Sequence, residues 1–181
     1  MDYAIVDLEA TCWDDGRPRT EMEIIEIGAV LLRGSSLEVV DEFQTFVKPV
    51  ANPILSDFCM KLTKITQKDV EQAPGFEEAF RSFMAWVDSY GARICSWGAY
   101  DRSQFEQDCR RHHVSIPSSF ANHLNVKKAF QVWQACGSCD LPTALNKLDL
   151  TLDGTHHRGI DDARNIAKIA ARLLPELPSA F

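Results

Sequence analysis

The sequence predicts a single α/β domain in which helices cover a mixed β-sheet. Three observations carry this. Three strand-like stretches come first, within the opening 47 residues. Strands and helices alternate after them, the pattern that layers helices on a sheet. A chain of 181 residues, at roughly 150 residues per domain, leaves little over for a second domain.

The first strand is expected at residues 3–9. Ala4, Val6 and Leu8 line one face, and Ile5, Asp7 and Glu9 the other. Residues 24–32 form a second strand, apolar on both faces and therefore central, with Glu26 as its one interruption. Arg33-Gly34-Ser35-Ser36 is a turn, residues 37–47 return as a third strand, and Lys48-Pro49 ends it. Phe76, Ala79, Phe80, Phe83, Met84 and Val87 then fall at offsets 0, 3, 4, 7, 8 and 11, a helical stripe. Pro74 precedes this helix and Gly91 stops it. A fourth strand is expected at 93–97, a helix near 101–111, a fifth strand at 122–126 and a short helix at 141–148. A helix from about 160 to 174 closes the chain, stopped by Pro175.

Composition narrows the function. With 45% apolar and 25% charged residues, the chain builds an ordinary core. It has no run of about 18 apolar residues, which excludes a membrane span. The 26 acidic against 19 basic residues give a net charge of −7, which excludes a globally basic nucleic-acid binder but not a local cation site. Six cysteines without a secretory leader read as reduced thiols in the cytoplasm. There is no GxGxxG, GxxxxGK[ST] or GxSxG, so no nucleotide cofactor, P-loop or serine nucleophile is expected.

The chemistry concentrates in carboxylates. Asp7 and Glu9 point the same way from one strand, about 6 to 7 Å apart at the backbone. They lie at its carboxyl end, which in open α/β sheets faces the ligand crevice. Two like charges there call for a cation, and oxygen donors favour Mg²⁺ or Mn²⁺. Taken alone, the pair also fits a strand end dipping into solvent. Late in the chain stands His156-His157-Arg158-Gly159-Ile160-Asp161-Asp162. Stepping from Asp162 meets Ile166, Ile169, Ala170 and Leu173, whereas Asp161 steps through Asn165, Lys168 and Arg172. Asp162 is thus the inward carboxylate and Asp161 the helix-start charge. His157, in the preceding loop, reads equally as a residue swinging over a site and as a surface histidine. Asp101 reads as a helix cap or as a crevice acid, and the two roles are compatible. The lone CxxC of Cys136 and Cys139 falls short of a zinc site, and Cys109, His112 and His113 read as helix surface.

Together these residues resemble a known pattern. Asp7-Leu8-Glu9-Ala10-Thr11, then Asp101 after Ser96-Trp97-Gly98, then His157 with Asp162, are similar to the three motifs of the DEDDh (DnaQ-like) 3′–5′ exonucleases. Glu-Ala-Thr-Cys at 9–12, Glu23-Ile24-Ile25-Glu26-Ile27-Gly28 and the segment from Phe58-Cys59 to Ala73-Pro74 resemble the ERI-1/3′hExo-like exoribonuclease branch. The resemblance implies one exonuclease domain over residues 1–181. It implies a ribonuclease H-like, three-layer α/β/α fold with a five-stranded mixed sheet in order 3-2-1-4-5. It further implies that Asp7, Glu9, Asp101 and Asp162 hold two divalent ions, that His157 is the general base, and that Ala10, Thr11 and Trp13 bind substrate. The substrate would be a single-stranded RNA 3′ end, shortened by release of nucleoside 5′-monophosphates. Larger eukaryotic members carry a nucleic-acid-binding segment before the nuclease domain; with Asp7 so early in this chain, none is expected.

Lys61, Lys64 and Lys68, Arg110 and Arg111, or Lys127 and Lys128 are candidate phosphate contacts or simply solvated faces. Three rival readings remain: a DNA-directed exonuclease of proofreading or repair type, a non-catalytic nucleic-acid-binding or regulatory module on the same fold, and a metal-dependent phosphatase.

Overall fold

The computed structural model describes residues 1–177. Its centre is a five-stranded sheet in the order β3-β2-β1-β4-β5, the predicted order. Strand β1 (Tyr3–Ala10) pairs antiparallel with β2 (Ile24–Leu32), Tyr3 opposite Leu32 and Glu9 opposite Glu26. Strand β3 (Val39–Phe46) continues the antiparallel side. On the other side β4 (Arg93–Ser96) runs parallel to β1, and β5 (Leu124–Asn125) parallel to β4.

Strand alternation sorts the core into two layers. Ala4, Val6 and Leu8 of β1 pack beneath α3 (Phe76–Ser89) and α4 (Tyr100–Arg111). Ile5, Val30 and Leu32 face α5 (Val126–Trp133), α6 (Leu141–Lys147) and α7 (Gly159–Leu173). Every residue of β2 is buried, as expected of a central strand covered on both faces.

Four expectations need correction. The third strand begins at Val39 rather than 37, because Leu37 takes a positive φ of 58° and its amide closes the turn onto Arg33. The fifth strand is two residues long, because the Asn125 side chain already caps α5 by accepting from the Lys128 amide at 2.8 Å. Helices α1 (Asp57–Thr63) and α2 (Gln67–Glu71), like α5, had no counterpart in the predicted elements. Caps define the first two rather than stripes: Ser56 accepts from the Cys59 amide, and Thr66 with Asp69 forms a capping box. Finally, Cys109 is not surface: it is 1% exposed, and His112 stacks on Phe76 with ring centroids 5.1 Å apart. Among the described residues no helix is long and apolar enough to cross a membrane.

Candidate active site

Asp7 and Glu9 leave the same face of β1 and open into a cleft of about 330 Å³, lined also by Asp101, His157 and Asp162. All five predicted catalytic positions therefore share one cavity, although they come from one strand, two helices and a loop.

Asp101 enters from the first turn of α4. It does not cap that helix, because Ala99 holds the cap position. Its Oδ1 instead accepts a hydrogen bond from the Leu8 amide at 3.1 Å, tying α4 to β1 between the two acidic positions. The Ser96 hydroxyl, at the end of β4, donates to the Gly98 carbonyl at 3.2 Å and lies 2.9 Å from Nε2 of His123. Burial, with Arg102 and Arg93 nearby, pushes His123 down to about 4.

Asp162 sits where its helical period predicts, 3% exposed on the inner face of α7. Its Oδ2 accepts from the His157 amide at 2.9 Å and lies 2.9 Å from Nδ1 of His156. Asp161 turns outward and accepts from the Thr155 amide and Arg164 Nη1, both at 2.9 Å. His157 takes a positive φ of 65°, and its ring stacks on His156 at 4.0 Å. Sequence reasoning did not single out His156. Its only signal was adjacency to His157, and spacing alone gave it no partner.

The start of α7 is pressed onto the sheet. A Cβ on Gly28 would fall 2.1 Å from the Ile160 nitrogen, and one on Gly159 would fall 2.9 Å from the Asp7 carbonyl oxygen. Glu26, fully buried, locks this approach. It accepts from the Gly159 amide at 3.0 Å, from Arg158 Nε at 3.2 Å and from Gln44 Nε2 at 2.6 Å. A charge in a buried central strand requires such partners; the interruption of the apolar run by Glu26 was the sequence signal for this anchor.

Crowding dominates the electrostatics. Burial, then Asp101, Glu9 and Asp162, holds the Asp7 carboxyl well above the ordinary aspartate range. Burial, then Asp162 and Glu26, pushes Glu9 up to about 9. Burial raises Asp101 to about 6, against the hydrogen bonds that favour its charge. One oxygen from each of Asp7, Glu9 and Asp162 lies within 4.8 Å of the others. Like-charged oxygens at this spacing favour protonation unless a cation joins them. An all-oxygen donor set suits a hard divalent ion, so the residues fit the metal that the sequence pattern implies. Burial and His156 lower His157, with Asp162 opposing.

The predicted substrate-contacting residues separate. Ala10 lines the cleft. Thr11 is 1% exposed, and its hydroxyl accepts from the Glu23 amide at 2.9 Å. Trp13 lies outside the cleft lining, with the Arg17 guanidinium 4.7 Å above its ring. Lys127 is the one lysine or arginine among the cleft-lining residues. Arg111 is committed elsewhere, to Asp108 and to the Met22 and Thr20 carbonyls. Cys136 and Cys139 are free thiols packed against the α5–α7 side.

The family model described as exonuclease matches residues 4–170. The chain belongs to the exonuclease family. It is 37% identical over 186 residues to 3′-5′ exoribonuclease 1 of Rattus norvegicus, covering 97% of this chain and 54% of that protein. It is 30% identical over 197 residues to ERI1 exoribonuclease 2 of Homo sapiens, covering 96% of this chain and 28% of the other. The chain thus spans about half the length, or less, of these curated relatives. Among solved structures, the nuclease domain of 3′hExo, a DEDDh family member bound to rAMP, superposes with a TM-score of 0.91 at 33% identity. That match covers 97% of this chain and 92% of the other.

Proposed function

We propose that this exonuclease-family chain is a metal-dependent 3′–5′ exoribonuclease that removes nucleoside 5′-monophosphates from single-stranded RNA 3′ ends. The observation that carries this reading is the convergence of Asp7, Glu9, Asp101, Asp162 and His157 on one cleft. The names of the similar exoribonucleases support RNA as the polymer.

In this account the four carboxylates hold two divalent ions, Mg²⁺ or Mn²⁺. When bound, these neutralise the acids and supply Lewis acidity to the scissile phosphate and the attacking water. The Leu8 amide keeps the Asp101 carboxylate turned toward that position. A ring nitrogen of His157 accepts the proton of the attacking water, a task for which burial and His156 keep the imidazole neutral. The hydrogen bond from its own amide to Asp162 fixes the loop that carries the ring. Ala10 forms the wall for the terminal nucleotide, Thr11 holds that wall through Glu23, and Trp13 supplies a ring for stacking on a base. Lys127 neutralises a backbone phosphate.

The test is product identity. Chromatography of a digest of single-stranded RNA should give nucleoside 5′-monophosphates from the first time point. Release of inorganic phosphate from mononucleotides, with the polymer left intact, would instead mark a phosphatase.

A further inference from the structure

We propose that Cys12 and Cys59 are a reversible oxidation site for peroxide, forming a disulfide in the wall of the catalytic cleft. The mechanism above uses neither thiol.

The two residues are already held together. Cys12 follows β1 and lines the cleft, and its thiol is free and half-buried. Cys59 lies in the first turn of α1 and is 0% exposed. One side chain joins their backbones: the Ser56 hydroxyl donates to the Cys12 carbonyl at 2.6 Å and accepts from the Cys59 amide at 3.0 Å. The Cys59 sulfur lies 3.7 Å from the Ala10 carbonyl oxygen. The Cys12 side chain also packs against the buried cluster that contains Cys59. Cys95 and Cys109 are buried, while Cys136 and Cys139 do not line this cleft.

Exposure sets the order of events. A small oxidant entering the cleft meets Cys12. Ionised against the neighbouring Cys59 thiol and the burial that raise its own thiol, the Cys12 sulfur reduces one hydrogen peroxide, losing two electrons as the O–O bond breaks, and with the proton it shed gives a sulfenic acid and water. The Cys59 thiolate then attacks the Cys12 sulfur. The S–S bond forms, the S–O bond breaks, and the departing hydroxide takes up the proton shed by Cys59. In sum, two thiols and one peroxide become one disulfide and two waters. In the reduced protein the Cys12 thiol, its amide and the Thr63 hydroxyl hold the Cys59 thiol down at about 7; the amide and the Thr63 hydroxyl remain once Cys12 is oxidised.

The bond would tether the residues after Glu9 to α1, whose Leu62 lines the same cleft. Its effect on turnover rests on the exonuclease reading; the bond itself does not.

The intact protein is treated with hydrogen peroxide, alkylated at remaining thiols, digested and mapped by mass spectrometry. The expected result is a Cys12–Cys59 cross-linked peptide and the loss of two alkylatable thiols, both reversed by dithiothreitol. Cys12→Ser and Cys59→Ser should each abolish the cross-link. RNA-degrading turnover, compared with each protein's own untreated sample, should fall in the parent and return on reduction. Oxidation that leaves Cys12 and Cys59 in separate peptides, or that links Cys136 to Cys139 instead, overturns the proposal. A cross-linked protein of unchanged turnover overturns the control of the cleft. If the untreated parent degrades no polymer, the exonuclease reading fails while the cross-link map still decides the thiol chemistry.

Discussion

Gly28 of β2 and Ile160 of α7 approach so closely that a single methyl group on Gly28 would lie 2.1 Å from the Ile160 backbone nitrogen. Backbone against backbone leaves no flexible side chain to give way. This contact sets the height of α7 above the sheet, and therefore the position of Asp162, two residues further on. Gly28→Ala should destabilise the fold by about 1 to 3 kcal/mol, as overpacking does. It should also weaken Mn²⁺ binding by shifting Asp162. Urea unfolding and calorimetric titration check the two effects; a variant with parental stability and affinity would show that α7 accommodates the group.

Glu26 and Arg158 fasten the same junction from the side. Removing one partner of a buried ion pair leaves the other charge without compensation, which costs about 3 to 5 kcal/mol. Arg158→Ala strands the Glu26 carboxylate, which is fully buried, and should fall in that range by urea unfolding. A loss below about 1 kcal/mol would mean that the Gly159 amide and Gln44 suffice for Glu26.

The crowded acids give the metal-free protein a characteristic pH response. Glu9, held up to about 9, and Asp101, held up to about 6, take up protons more readily folded than unfolded. Groups raised in this way contribute stability that is present below their ordinary range, near pH 4, and is lost as pH rises through the folded values. In EDTA the melting temperature should therefore decline between about pH 4 and pH 9 on their account. Saturating Mg²⁺ should remove that decline and add roughly 2.7 kcal/mol at a hundredfold excess over Kd. Asp7→Asn should raise metal-free stability, by relieving repulsion, and erase the Mg²⁺ gain. Thermal scans across pH, with and without metal, read each part.

In the proposed mechanism His157 takes the proton and the carboxylates hold the metal. His157→Ala should lower turnover by about 10²- to 10⁴-fold, the usual range for a general base. It should leave Mn²⁺ affinity within a few fold, since the four carboxylates remain. Turnover at the parental rate would remove the histidine from the mechanism.

Much of this architecture was legible before any coordinates. Period-two alternation put Asp7 and Glu9 on one face, and period 3.6 chose Asp162 over Asp161 as the inward acid. Both inferences rest on local geometry, which sequence encodes directly. Tertiary partnerships were less visible. Asp101 looked like a cap because aspartate favours caps, yet its side chain is spent on the Leu8 amide, 93 positions away in the chain. Helices α1 and α2 are seven and five residues long, too short for a stripe to emerge, so their caps were the only signal. His156 enters the site through its contact with Asp162, which no spacing rule reports.

One measurement bears most directly on the assignment of Asp7, Glu9, Asp101, Asp162 and His157 as a metal-dependent exoribonuclease site. Matched 5′-labelled single-stranded RNA and DNA are incubated with the parent chain and with Asp7→Ala, in Mg²⁺, Mn²⁺ or EDTA, and resolved on a gel over time. The account predicts a one-nucleotide ladder descending from the 3′ end of RNA, faster than on DNA, and absent in EDTA and with Asp7→Ala. A ladder that persists in EDTA or with Asp7→Ala, or binding of both polymers with no shortening in Mn²⁺, would contradict it.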